Sequence, residues 1–269
     1  FFPVWHRGQK YGILKTDNAF RHPRLPAEER NKWISMLKKN DIITLTITDL
    51  TAEAMGVGRY EGMAVFVPLS AVGDQLRVRI VKVQKTLCYG IIEEILSPSP
   101  ARTEPLCPVY GKCGGCSLRH ISYEEECRHK QHLVYENMRR IGGISVPETP
   151  FVPSPREARY RNKAQFPLVQ TPDGVRAGFY ASRSHRVIPC EDCLLQPEIF
   201  SEIVQFLEKF IDRFHIPVYE EATGKGLVRH LYLRRGEVSG EVMLCLVING
   251  SELPHCGQFV NAVTARFPE

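Results

Sequence analysis

The chain has 269 residues, of which 43% are hydrophobic and 24% charged, and its formal net charge is +5. This length suits two domains of ~100–150 residues each, and the composition excludes a disordered, collagen-like or coiled-coil chain. No segment reaches the roughly 18–20 apolar residues of a membrane span, and no secretory signal is visible. We therefore expect a cytoplasmic protein with no membrane partner, whose nine cysteines serve a metal site or chemistry rather than disulfides.

Residues 1–35 carry most of the net charge, with seven Lys and Arg against three Asp and Glu. The chain begins with Phe1, and a regular strand pattern begins only after Met36. We therefore expect Met36 to be the natural start and residues 1–35 to be a leader that is non-native or disordered. The alternative is a helical extension around residues 26–38.

Apolar and polar residues alternate from Ile42 to Leu96, with turns that contain Gly or Asp between the runs. Several short strands at this spacing predict a small β-barrel, which we place at residues 36–100. The Pro- and Ser-rich segment 97–102 predicts a boundary with a second domain.

Residues 101–269 mix helical and strand patterns, which predicts an α+β domain. Hairpin turns are expected at residues 171–174 and 236–240, between alternating runs. Helices are predicted from their apolar periodicity in three segments: 123–141, 197–214 and 259–267.

Three cysteines lie within ten residues, at Cys107, Cys113 and Cys116. Three thiolates at this spacing could ligate one metal centre, with Cys190 or Cys193 as the fourth ligand. The spacing leaves open an iron–sulfur cluster, a zinc site that pairs the two C-x2-C motifs, and unliganded thiols. The other cysteines stand in apolar contexts and are expected to be small core residues: Cys88, Cys127, Cys245 and Cys256.

Several segments resemble one family of enzymes. Residues 49–83 (DLTAEAMGVGRYEGMAVFVPLSAVGDQLRVRIVKV) resemble a TRAM domain, a small RNA-binding β-barrel. Residues 97–131 resemble the cluster-binding segment of the TrmA-like RNA (uracil-5-)-methyltransferases, which depend on S-adenosylmethionine. YRNKAQFPL and LVRHLYLRRG resemble that family's central domain, in the branch that acts on 23S ribosomal RNA.

The resemblance implies a [4Fe–4S] cluster held by Cys107, Cys113, Cys116 and Cys193, with Cys190 as a spare thiol nearby. The predicted fold class is therefore an all-β small barrel, OB-like as in TRAM domains, followed by an α+β domain that carries the iron–sulfur cluster.

In this family the methyl-donor site, the nucleophilic cysteine and the general base lie in a C-terminal domain. The chain ends at Glu269, about where that domain should begin, so we expect the catalytic domain to be absent. The resemblance then implies no catalytic residue in this chain, S-adenosylmethionine bound by the missing domain, and no activity of the chain alone. It also implies that helix 123–141 packs partly on that domain and that the full-length protein is a monomer.

Basic and aromatic residues are interleaved between Arg156 and Arg186, where the net charge is +5. Cations bind phosphates and aromatic rings stack on splayed bases, so this stretch predicts contacts with ribosomal RNA. A second basic group contains Arg229, His230, Arg234 and Arg235. The predicted RNA-binding residues are Arg161, Asn162, Lys163, Arg183, Ser184, His185, Arg229 and His230.

Strand alternation places Arg229 and His230 on opposite faces, so only one of them is expected to contact RNA. The alternative for both groups is a solvated strand face. The predicted function is the RNA-binding and substrate-positioning portion of a 23S rRNA uracil-5-methyltransferase. The alternative is a stand-alone RNA-binding module with an iron–sulfur or zinc site and no catalytic activity.

Overall fold

The computed structural model describes residues 37–147 and 149–268. The expectations about the leader concern residues outside this range. In the part that is described, no helix is long and apolar enough to cross a membrane.

A closed five-stranded barrel forms the first half, with the strand order β1-β2-β3-β5-β4. The side chains of Leu45, Ile47 and Val65 fill its interior and are at most 2% exposed, because alternate residues of each strand point inward. The predicted barrel strands are therefore confirmed. They are β1 (Ile42–Leu50), β2 (Met55–Tyr60), β3 (Met63–Pro68), β4 (Gln75–Val83) and β5 (Leu87–Ser97).

A five-stranded antiparallel sheet with the order β10-β9-β6-β7-β8 forms the second half. Both predicted hairpins and all three predicted helices are confirmed. The strands are β6 (Lys163–Thr171), β7 (Gly174–Tyr180), β8 (Val187–Pro189), β9 (Val228–Arg235) and β10 (Val242–Ile248), and the helices are α1 (Tyr123–Arg140), α2 (Glu198–Arg213) and α3 (Cys256–Arg266).

Helices α2 and α3 cover one face of this sheet. Phe200 and Leu207 of α2 share a core with Phe166 and Leu231 of the sheet, and Phe259 of α3 joins it. The opposite face, which we call the open face, carries exposed or half-exposed side chains. Its members on three neighbouring strands are Lys163, Gln165, His230, Tyr232, Arg234, Met243, Cys245 and Val247.

The segment between barrel and sheet is tied to both. Arg102 donates two hydrogen bonds of 2.8 Å to the carboxylate of Asp74, which is fully buried at the barrel. Burial lowers the pKa of His120, and the neutral ring donates from Nε2 to the Ser70 carbonyl while Nδ1 lies 2.6 Å from the Tyr110 hydroxyl. At the other end, Gly114 donates its backbone N–H to the Tyr180 carbonyl at the end of β7.

Helix α1 has no buried side chain. Ser122 caps its N-terminus by accepting the Glu125 backbone N–H. Val134, Met138 and Ile141 are 63%, 41% and 73% exposed. These apolar side chains are exposed on this chain, and the packing of α1 on a further domain stays a prediction.

The predicted fold class is wrong in giving the second domain an iron–sulfur cluster. Among the described residues, no group of three or more His, Cys, Asp or Glu side chains could hold a metal ion. Burial raises the pKa of the Cys113 and Cys193 thiols. The expectation of isolated core cysteines holds for buried Cys88 and is wrong for Cys245 and Cys256, which are exposed.

Candidate nucleic-acid interface

Basic and aromatic side chains alternate along the open face. Lys163 of β6 pairs with Arg234 of β9, and Gln165 pairs with Tyr232. The ammonium of Lys163 lies 6.0 Å from the centre of the Tyr232 ring. Cations and an aromatic ring therefore stand side by side on an exposed sheet surface, the arrangement with which sheets hold single-stranded RNA.

A β-bulge changes the direction of the side chains at the start of β9. Val247 of β10 pairs with His230 and Ile248 pairs with Val228, so that Arg229 has no partner in the ladder. Val228 and Leu231 are both buried in the core, while the two residues between them are half-exposed. An extra residue re-aims its neighbours, so the prediction that Arg229 and His230 point to opposite faces is wrong.

The Arg229 side chain is held from two sides. Its guanidinium carbon lies 4.3 Å from the centre of the Tyr219 ring, within the range of a cation–π contact. Its Nη2 donates to Glu221 Oε1 at 2.8 Å, and this hydrogen bond raises the pKa of Arg229 and lowers the pKa of Glu221. The guanidinium therefore has a fixed orientation at the edge of the open face.

His230 contacts Tyr180 at the end of β7, and Tyr180 in turn contacts His185 in the turn between β7 and β8. The Tyr180 hydroxyl lies 3.0 Å from His230 Nε2, and the Tyr180 ring centre is 5.5 Å from that of His185. Burial, followed by the charge of Arg229, lowers the pKa of His230. We call Tyr180, His185, Tyr219, Glu221, Arg229 and His230 together the stacking cluster.

The turn between β7 and β8 carries three of the predicted RNA-binding residues. Arg183 adopts a left-handed conformation with φ of 55°, and the Ser184 backbone N–H donates to the Ala181 carbonyl. The side chains of Arg183, Ser184 and His185 are exposed. The structure thus brings this turn next to Arg229 and His230, which are more than forty residues away in sequence.

The remaining predicted residues lie at the other end of the open face. Asn162 accepts the Arg235 backbone N–H at its carbonyl, and the Arg161 backbone N–H donates to the Leu195 carbonyl. These bonds fix the backbone, while the side chains of Arg161, Asn162 and Lys163 stay exposed. Arg161 also lies near Cys113: burial raises the pKa of that thiol, and the charge of Arg161 offsets part of the rise.

The cysteine segment and the turn after β8 approach each other. The charges of Cys107 and Cys113 each contribute to the raised pKa of Cys193, and burial, the largest cause, raises the pKa of Cys190 to about 12. The thiols are therefore neighbours, but they do not form a group that could hold a metal ion in the described part of the chain. The predicted ligand set of Cys107, Cys113, Cys116 and Cys193 gains no support from the described residues.

Sequence reasoning missed two residues of the site, Tyr219 and Glu221. They lie in the loop between α2 and β9, where Tyr219 donates its backbone N–H to the Val228 carbonyl. No motif marks them, since their role depends on the bulge at Arg229. A tyrosine and a glutamate shortly before a basic strand were the available signals, and both are common on ordinary surfaces.

Residues 37–92 match the family model of the TRAM domain. The chain is 36% identical over 239 residues to an uncharacterized RNA methyltransferase of Halalkalibacterium halodurans, which covers 88% of this chain and 52% of that protein. It is 39% identical over 222 residues to an uncharacterized RNA methyltransferase of Listeria monocytogenes, covering 82% and 49%. The chain thus spans about half the length of the curated relatives it matches.

A solved structure has the same fold over most of the chain. It is the Pyrococcus abyssi tRNA (uracil-54, C5)-methyltransferase in complex with S-adenosyl-L-homocysteine, with a TM-score of 0.60, 25% identity, and coverage of 80% of this chain and 48% of that one. This likeness replaces the predicted fold class of a barrel followed by a cluster-carrying α+β domain. The expectations that the catalytic domain is absent and that the chain is inactive alone gain no support from these comparisons.

Proposed function

We propose that this chain belongs to an S-adenosylmethionine-dependent RNA uracil-5-methyltransferase and that its described residues bind and position the RNA. The observation that carries the proposal is the similarity to RNA methyltransferases over 88% of the chain. The TRAM match at residues 37–92 supports an RNA partner, and the neighbour with bound S-adenosyl-L-homocysteine supports the methyl donor.

The open face supplies a physical basis for RNA binding. Lys163 and Arg234 stand opposite each other on adjacent strands and would contact phosphates, while Tyr232, two residues before Arg234 on β9, would stack on a base. Arg161 extends the same surface toward the cysteine segment. A methyltransferase that acts on uracil C5 must take the base out of its stack, so the RNA around the target has to be held by such a surface.

Two of the three cations of the barrel strand β4 are paired with carboxylates. Arg77 forms an ion pair with Glu94 at 2.8 Å, and Arg79 is paired with Glu93. Such ion pairs are expected of a strand face that is exposed to solvent and binds no ligand. We therefore assign the main phosphate contacts to the open face of the sheet rather than to β4.

Binding of purified chain to RNA, followed by fluorescence anisotropy over a series of salt concentrations, tests the proposal. The double variant Arg161→Ala with Lys163→Ala should weaken binding and reduce the slope of log K against log salt by about 1.4–1.8, because each lost phosphate contact removes roughly 0.7–0.9 from the slope. The matched control is Arg77→Ala with Lys82→Ala, which removes the same charge from the barrel. An unchanged slope in the first variant would refute the assignment.

The methyl transfer itself is tested with RNA labelled with tritium at uracil C5. Methylation at C5 releases the label to water, so counts released in the presence of S-adenosylmethionine measure the reaction. Release by the 269-residue chain alone would show that it holds the methyl-donor site as well. No release, together with RNA binding, would favour the RNA-positioning portion or the stand-alone module.

We further propose 23S ribosomal RNA as the substrate and a monomeric protein. Competition between a ribosomal RNA fragment and a tRNA for the same labelled complex tests the first point, and tighter binding of tRNA would contradict it. Sedimentation equilibrium tests the second.

A further inference from the structure

We propose that the stacking cluster is a binding subsite for one unstacked base of single-stranded RNA, with the Arg229 guanidinium as its platform. The inference rests on the proposed RNA-binding function and adds a location and a mode of recognition to it. It needs the bulge in β9, because a regular strand would direct Arg229 away from His230.

The guanidinium is organised before any ligand arrives. Tyr219 lies against one face at 4.3 Å and Glu221 holds the edge at 2.8 Å. A planar group fixed in this way loses little freedom on binding, and bases stack on guanidinium planes as they do on aromatic rings. The Nε of Arg229 is buried and has no hydrogen-bond partner among the described residues, a cost that stability alone would not favour.

A second wall of the subsite comes from the β7–β8 hairpin. Tyr180 is oriented by its 3.0 Å contact with His230 Nε2, and the exposed ring of His185 lies beside it at 5.5 Å. The charge of Arg229 acts on both Tyr180 and His230, so the platform and the second wall are neighbours. One planar cation and two aromatic rings then lie close together.

Charge distinguishes the subsite from a phosphate contact. Glu221 neutralises Arg229 and its carboxylate has a second oxygen that can accept a base N–H. A phosphate would be repelled by that carboxylate, whereas a base edge offers both donors and acceptors. We therefore expect the subsite to contribute affinity that depends on unpaired bases and only weakly on salt.

The test compares a single-stranded oligoribonucleotide of ten nucleotides with a blunt RNA duplex of the same length, both followed by fluorescence anisotropy on the whole chain. Arg229→Lys keeps the charge and removes the plane. It should weaken single-strand binding about tenfold, the effect of losing one stacked base, and leave duplex binding and the salt slope unchanged. The matched control Arg235→Lys makes the same change at the exposed end of β9 and should alter binding less than twofold.

A second variant guards against loss of folding. His185 lies in an exposed turn, so its replacement should not disturb folding. His185→Ala should also weaken single-strand binding selectively. If both variants bind the single strand as wild type does, while Arg161→Ala with Lys163→Ala is impaired, the subsite is refuted and the proposed function stands. If the wild-type chain binds neither RNA, both proposals fail.

Discussion

Replacement of Asp74 by Asn should disrupt the connection between the barrel and the rest of the chain. The Asp74 carboxylate is fully buried and accepts four hydrogen bonds. Oδ1 accepts from the Ser99 backbone N–H and from Arg102 Nε, at 2.9 and 2.8 Å. Oδ2 accepts from the Ala71 backbone N–H and from Arg102 Nη2, at 2.6 and 2.8 Å.

An asparagine fits the same space but turns one acceptor into a donor. Whichever way the amide is placed, its NH₂ group faces one backbone N–H and one Arg102 N–H, so two hydrogen bonds are lost. The Arg102 side chain, which is 17% exposed, is then left without its counter-ion. Removing one partner of a buried ion pair costs about 3–5 kcal/mol, a large fraction of the ~5–15 kcal/mol that stabilises a domain.

Urea denaturation monitored by circular dichroism measures this loss, and the matched control is Asp49→Asn. That residue is exposed on the same barrel, and its replacement should change the free energy of unfolding by less than about 0.5 kcal/mol. If Asp74→Asn were no more destabilising than Asp49→Asn, the argument that this carboxylate ties the segments together would be refuted.

The same pair predicts a dependence on pH. Burial alone raises the pKa of Asp74, but the hydrogen bonds from Arg102, Ala71 and Ser99 outweigh it, and the pKa is lowered. A lowered pKa in the folded state gives stability that is present above the unfolded value of about 3.9 and is lost as the pH falls through the folded value. The stability difference between wild type and Asp74→Asn should therefore shrink below about pH 4.

Four further changes test the packing of the sheet and its helices and the cap of α1. Gly178→Ala would place its Cβ 1.9 Å from the Ile188 carbonyl oxygen. This clash should lower the free energy of unfolding by about 2 kcal/mol or more. Gly257→Ala, which meets no atom within 4 Å in α3, should be neutral or stabilising by up to about 1 kcal/mol; equal thermal stability of the two would contradict this. Burial raises the pKa of Glu208, although its Oε1 accepts the Ala177 backbone N–H. Glu208→Gln keeps an acceptor and should gain stability relative to wild type as the pH rises above about 4.3; thermal melts from pH 4 to 8 that run parallel would disprove it. Ser122→Ala should destabilise α1 by about 1 kcal/mol, and unchanged hydrogen exchange in its first turn would argue against the cap.

Local patterns in the sequence determined most of the secondary structure. The alternation of Ile43, Leu45 and Ile47 with threonines predicted β1, because every second side chain of a strand points into the barrel. The Pro172-Asp173 turn predicted the hairpin of β6 and β7, and the apolar periodicity from Glu198 to Arg213 predicted α2. Each of these signals acts over a few residues, so the sequence alone carries it.

The arrangement of the site depends on contacts between residues that are far apart in the sequence. The bulge that re-aims Arg229 arises from the register between β9 and β10, and nothing in the strand's own alternation reveals it. Tyr219 and Glu221 acquire a role only through that change of direction. Asp74 and Arg102 are 28 residues apart. From the sequence alone, each would be interpreted as an ordinary surface charge.

The cysteines illustrate the same division. Their spacing showed that Cys107, Cys113 and Cys116 are close in sequence and suggested a partner near Cys193, and the fold does bring these segments together. Spacing could not determine how buried each thiol is or in which direction it points. Those properties follow from backbone pairing between the cysteine segment and the end of β7, because a hydrogen bond such as that from Gly114 to Tyr180 exists only after the whole sheet has formed.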